Sequence, residues 1–223
     1  MNERKLSEHK NDELWTGNFP SLKGEQMIYY KSLRPKNNKH LKILILHDFY
    51  DYHQRYLEMG YRLKELLAFP VELCWMDFKG FGLSAGTRGH IDHIDDLFED
   101  SRQLLEKMKQ EDHQVPLMVS GQGLGAMVAL KLIDLADSVR PLVDFCALVN
   151  PMMSFAKPFI DTDESYLAKL FPSLSKIGLP VKMNFLKICN DEDKIHDLKS
   201  DPLIRSRLSL GTLSHIAKAA EQL

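Results

Sequence analysis

Apolar residues in this chain fall in short unbroken runs, separated by stretches with a helical rhythm. The runs "LKILILHD" (41–48), "VELCWMD" (71–77), "VPLMVSG" (115–121) and "VDFCALVNP" (143–151) are short and continuous, as buried strands are. "QMIYYKSL" (26–33) has strand composition and leads into the polar turn "RPKNNKH". Between the runs, residues 52–68 place Tyr56, Met59, Leu63, Leu66 and Leu67 at helical spacing. Residues 93–110 put Ile94, Leu97, Leu104, Leu105 and Met108 on one side of a second helix, and 124–136 read as a third. Strand–helix alternation with continuous apolar strands predicts an α/β fold: a mostly parallel sheet with helices on both faces. After Pro151 the rhythm is lost, because Pro158, Pro172 and Pro180 interrupt the apolar segments. The expected division is a core over 1–151 and a cap-like helical segment over 152–223.

Composition narrows the function classes. A chain of 223 residues with 44% hydrophobic and 27% charged residues is an ordinary globular domain. A formal net charge of −2 removes the basic excess that a nucleic-acid partner needs. The three cysteines, Cys74, Cys146 and Cys189, form no framework spacing; Cys74 and Cys146, in apolar strand-like runs, read as buried thiols in a reducing compartment. The charged start "MNERKLSEHKNDEL" has no apolar signal region, and no run reaches the ~18 apolar residues of a membrane span. The expectation is a cytoplasmic protein. Nine histidines occur without His-x-x-x-His or Cys/His clustering, so neither a metal site nor a cofactor is expected.

The chemistry turns on "VSGQGLGAM", where a strand enters a glycine-rich corner and a helix leaves it. Gly121, Gly123, Gly125 and Ala126 match the dinucleotide loop Gly-x-Gly-x-x-Gly/Ala. They also match the nucleophile elbow Gly-x-Ser-x-Gly, except that Gly123 stands where the serine belongs. A dinucleotide loop closes the first βα unit and needs an acid at the end of the next strand. Here the corner comes late, and the next strand ends in Asn150 with Asp144 near its start. Nucleotide binding through 121–126 is therefore the minor alternative.

Two further stretches carry a resemblance. "LHDFYDYHQRY" (46–56) has His47, Arg55 and Tyr56, and "DFKGFGLSAGTRGHI" (77–91) has Asp77, Gly80, Gly82, Ser84, Gly86, Arg88 and Gly89. Together with "SDPLI" (200–204) they resemble the monoacylglycerol lipase and lysophospholipase (serine aminopeptidase-like) group of α/β-hydrolases. The resemblance implies an α/β-hydrolase sheet, with 120–127 as its elbow and a partial helical cap. It also implies an oxyanion hole made by the N–H groups of Phe49 and Leu124.

Against that pattern the chain departs at several positions. Gly123 offers no nucleophile, Asp48 replaces the glycine of His-Gly, Phe81 replaces the His of Gly-His-Gly, and Tyr52 replaces another family histidine. A carboxylate at 48 is expected to oppose oxyanion stabilisation. The family's acid and histidine follow two strands beyond the cap, whereas this sequence stops at Leu223, so a C-terminally truncated sheet is expected. A substitute triad would pair Asp191 or Asp193 with His215, and Ser84, in "GLSAG", is a second candidate nucleophile with a structural alternative. Met152, Met153, Phe155, Phe159 and Ile160 either line an acyl pocket or form cap core, and His47 is expected to order the loop.

The expectation is a hydrolase homologue without its triad, surviving as an acyl-lipid-binding or protein-binding module. Homodimerisation, or a partner that donates strands, is expected at the exposed sheet edge. The alternative is an active carboxylic-ester hydrolase, using another nucleophile or inactivated by an engineered serine-to-glycine change.

Overall fold

The computed structural model describes residues 1–8, 11–49, 51–134, 142–152, 175–180, 190–204 and 207–221. Among the described residues seven strands form one sheet: β1 (Asn2–Glu8), β2 (Asp12–Pro20), β3 (Met27–Pro35), β4 (Leu41–Leu46), β5 (Val71–Met76), β6 (Leu117–Gln122) and β7 (Phe145–Val149). Their order across the sheet is β1-β2-β3-β5-β4-β6-β7. β5, β4, β6 and β7 are parallel, as the continuous apolar runs predict, and β1, β2 and β3 add an antiparallel flank. The helices among the described residues are α1 (Leu57–Leu66, entered through a 3₁₀ turn at His53–Tyr56), α2 (Ile94–Glu111), α3 (Leu124–Asp134), α4 (Glu192–Ser200) and α5 (Leu210–Glu221). A short second sheet pairs β8 (Gly178–Pro180) with β9 (Arg207–Ser209).

Alternation along the central strands divides the core between the two faces. Leu44, Leu46, Cys74 and Met76 join the larger cluster, with residues of α2, α3 and α5. Ile43, Ile45, Leu73 and Trp75 join the smaller one, against which Leu57, Leu63 and Leu67 pack. Leu208, Leu213, Ile216, Ala219 and Ala220, expected within the cap-like segment, lie in the larger cluster.

Three expectations are corrected. β1 and β2 precede the first expected strand. β1 carries charge where the pattern sought alternation, and ion pairs such as Lys5–Glu13 and Glu3–Arg34 hold it beside the backbone ladder. On α1, Met59 and Leu66 are exposed, and the buried position is Gly60, where a Cβ would stand 2.3 Å from the Trp75 ring. The helix is turned so that its smallest residue meets the largest. Cys146, expected to be buried, lies exposed on the outermost strand; Cys74 is buried. Cys189 lies outside the described residues. No helix among the described residues is long and apolar enough to cross a membrane.

Candidate functional site

The loops that matter leave the C-terminal ends of β4, β5 and β6, where open α/β sheets place their ligand sites. The corner after β6 is tight because three backbones converge on it. A Cβ on Gly121 would meet the Gly125 carbonyl at 2.2 Å, and one on Gly125 would meet the Leu46 carbonyl at 2.2 Å. These two glycines therefore let the first turn of α3 sit directly on the end of β4. Between them Gly123 has φ +54, the left-handed conformation that glycine adopts without penalty. Its N–H donates to the Val149 carbonyl (3.0 Å), and its carbonyl accepts from the Met127 and Met152 N–H groups (3.1 and 3.2 Å).

Asp48 fills the space in front of this corner. Its Oδ1 accepts from the Leu124 N–H at 2.9 Å and from the Phe49 N–H at 2.8 Å. These are the two donors that the resemblance assigns to an oxyanion. The first comes from the N-terminus of α3, where the helix dipole also favours negative charge. A Cβ on Gly123 would lie 2.2 Å from the Asp48 Cγ and Oδ1 and 2.3 Å from Oδ2; all three of its nearest neighbours belong to Asp48. Burial raises the Asp48 carboxyl above the usual range, outweighing the two N–H bonds that lower it.

The backbone around Asp48 is held from both sides. His47 is buried; its Nδ1–H donates to the Asp48 carbonyl at 2.6 Å, while Nε2 accepts from the Phe78 N–H at 2.9 Å. Both ring nitrogens are thus occupied in the neutral tautomer, and burial lowers the imidazole pKa in the same sense. The Asp48 N–H donates to the Tyr56 hydroxyl (3.1 Å), which donates in turn to Asp51 (3.2 Å). Burial raises Asp51 to about 6, against the pull of Arg55 at 2.6 Å.

The 77–89 loop is a structural unit behind the site. Asp77 accepts from the His53 N–H (2.6 Å), His53 Nδ1 (2.8 Å) and the Leu83 N–H (2.8 Å). Burial alone would raise its carboxyl; these bonds and the nearby histidines outweigh it and hold the group below the usual range. Ser84 is fully buried, donating to the Asp77 carbonyl (2.5 Å) and accepting from the Tyr29 N–H (2.8 Å). Gly82, at φ +47, has no room for a Cβ beside the Asp77 carboxylate. The Tyr52 hydroxyl donates to Asp201 (2.7 Å), which joins "SDPLI" to the loop after β4.

Gly123, Leu124, Phe49 and His47 therefore converge through Asp48, and Met152 packs against the adjoining core. The other candidates lie elsewhere. Asp191 is the N-cap of α4, accepting from the Asp193 and Lys194 N–H groups at 3.1 and 3.2 Å, and Asp193 is exposed in the first turn. His215, on α5, places its ring 5.6 Å from that of His93 at the N-cap of α2. Burial and then His93 lower its pKa. Met153, Phe155, Phe159 and Ile160 lie outside the described residues. No group of three or more metal-ligating side chains occurs among the described residues. The dinucleotide reading meets an obstacle in the same geometry. The Leu124 N–H, which a diphosphate would need, already serves a carboxylate. The His53–Asp77 pair has no signal in the sequence, because His53 is not among the positions of "LHDFYDYHQRY" that match the family pattern.

Strand order, corner and loop geometry define an α/β-hydrolase. The matches to solved structures give the same fold: a soluble variant of the monoglyceride lipase of Saccharomyces cerevisiae (TM-score 0.76, 17% identity, covering 96% of this chain and 69% of that one). A carboxyl esterase from Bacillus coagulans matches with TM-score 0.65 at 18% identity over 99% of this chain and 73% of that one. Within that class, the serine aminopeptidase (S33) family model matches residues 37–223, and the chain belongs to that family. An uncharacterized abhydrolase domain-containing protein of Dictyostelium discoideum is 22% identical over 205 residues, covering 89% of this chain. The chain spans 20% of that relative's length.

Proposed function

We propose that this chain is a lipase- or esterase-type member of its family that does not hydrolyse esters and acts by binding. The observation that carries the reading is the state of the corner after β6. Residue 123 is glycine, and the Asp48 carboxylate accepts from both N–H groups that would stabilise an oxyanion. Ester hydrolysis in this fold needs a nucleophile, a base to activate it and free donors for the developing charge. The first is missing at 123, the nearest atoms there belong to a carboxylate, and the donors are occupied. His47 cannot serve as base while both nitrogens are bonded to backbone. Ser84, the alternative nucleophile, has its hydroxyl engaged on both sides and is buried.

The ligand of this reading is an acyl lipid at this end of the sheet, where the Met152 N–H donates to the Gly123 carbonyl beside the corner. The free thiols of Cys74 and Cys146 accord with a reducing, cytoplasmic setting. Purified chain incubated with p-nitrophenyl butyrate and with monoacylglycerols is expected to show turnover at the uncatalysed rate. Fluorophosphonate labelling should leave every serine unmodified. A stoichiometric adduct on Ser84, or robust turnover, sinks the reading.

A further inference from the structure

We infer that Asp48 is a resident ligand of this site. Its carboxylate stands in for a bound oxyanion on the Phe49 and Leu124 N–H groups, and residue 123 must be glycine while it does. The inference rests on reading 120–127 as the family's elbow, and it adds a physical coupling between two positions that the chain separates widely.

The geometry assigns the coupling. Oδ1 lies 2.8 and 2.9 Å from two backbone donors of different segments, a two-point grip that holds a short side chain in one place. The grip is braced further back, because His47 holds the Asp48 carbonyl and Tyr56 accepts from its N–H. Held there, the carboxylate occupies the volume of any side chain at 123, with Cγ and both oxygens within 2.3 Å of a Cβ. A Cβ at 123 therefore forces Asp48 off its donors, besides incurring the left-handed strain that any L-residue meets at φ +54. The two changes from the family pattern, glycine lost at 48 and serine lost at 123, are in this geometry one change in two parts.

The coupling also sets the ligand chemistry. With Asp48 in place the donors take no exogenous carboxylate; with it removed they offer two convergent N–H groups at a helix N-terminus, suited to a fatty-acid carboxylate. The N–H pair already holds a carboxylate, its own, in that position.

Thermal melts of Gly123→Ala in three backgrounds test the coupling. In wild type and in Asp48→Asn, which keeps an acceptor at Oδ1, the alanine is expected to lower Tm by roughly 6–10 °C. In Asp48→Ala the same substitution should cost roughly 2–4 °C, the strain alone. Equal losses in all three backgrounds overturn the inference. Amide NMR spectra supply the second arm. Octanoate should shift the Leu124 and Phe49 N–H signals saturably in Asp48→Ala and leave wild type unchanged. Equal shifts in both proteins, or in neither, count against the assignment. The melts read packing and not turnover, so ester hydrolysis by wild type alongside intact coupling would overturn the non-catalytic reading alone.

Discussion

Asp100, on α2, is 1% exposed, and among the described residues neither of its carboxylate oxygens has a hydrogen-bond partner of normal geometry. Burial raises its pKa to about 6; the Ser21 hydroxyl and the Leu22 N–H pull it down, the neighbouring Asp96 pushes it up, and Lys79 pulls it down. The folded state therefore holds a proton that the unfolded chain, titrating near the ordinary ~4, has already released. Between about pH 4 and pH 6 the native state binds more protons, so this residue lowers stability as pH rises, and the deficit persists above pH 6. Asp100→Asn removes the titration. At pH 7.5 it should stabilise the protein by on the order of 1–3 kcal/mol, with the gain fading as pH falls to about 4. Urea melts of both proteins at several pH values check this; a gain that grows on acidification has the wrong sign. The same residue-level logic separates Asp48 from Asp100. Both are raised by burial, but Asp48 has two N–H donors on one oxygen and a structural consequence at 123.

At the level of elements, α1 and the 77–89 loop invert what local rules predict. Alanine is a better helix former than glycine by about 1 kcal/mol, so Gly60→Ala in α1 looks stabilising on propensity. Against Trp75 it is the reverse, because a Cβ 2.3 Å from the indole has to push the helix off β5. The expected net effect is destabilisation of about 1–3 kcal/mol, read as a lower urea midpoint at unchanged slope. Ser84 makes the companion case. Its hydroxyl joins β3, through the Tyr29 N–H, to the Asp77 carbonyl at the end of β5. Ser84→Ala leaves the buried Asp77 carbonyl and the half-buried Tyr29 N–H short of a partner and should cost about 1–3 kcal/mol in the same melts. A neutral Ser84→Ala would remove the case for a structural hydroxyl.

For the whole molecule, the consequential feature is the outer side of β7. Among the described residues this strand pairs only with β6, and Phe145, Leu148 and Val149 are 57%, 37% and 48% exposed. An apolar edge of this kind is a template for another strand. The chain is expected to self-associate or to take a strand-donating partner there. Light scattering across a concentration series should show mass rising above 25.7 kDa, and Phe145→Lys should suppress the rise. A wild type that stays monomeric throughout the series would remove this expectation.

Much of this protein was legible from local pattern. Continuous runs such as "LKILIL" and "VELCWM" specify parallel strands because a strand buried on both faces needs no alternation. The spacing of Leu97, Leu104, Leu105 and Met108 specifies the buried face of α2, and the glycines around 121–125 specify a close strand–helix corner. In each case a residue's neighbours in sequence are its neighbours in the element. The pattern was silent where that condition fails. β1 escapes it because its charged side chains, paired across strands, carry no apolar period. The buried face of α1 escapes it too, because contact with Trp75, from a different element, sets the helix rotation. Above all, the direction of the Asp48 side chain follows from no periodicity. Its partner Leu124 lies 76 positions away, brought within 2.9 Å only because Gly125 lets α3 close onto the end of β4. Sequence alone determined that residue 123 lacks a nucleophile; tertiary structure decided what occupies its place, because only packing brings the two segments together.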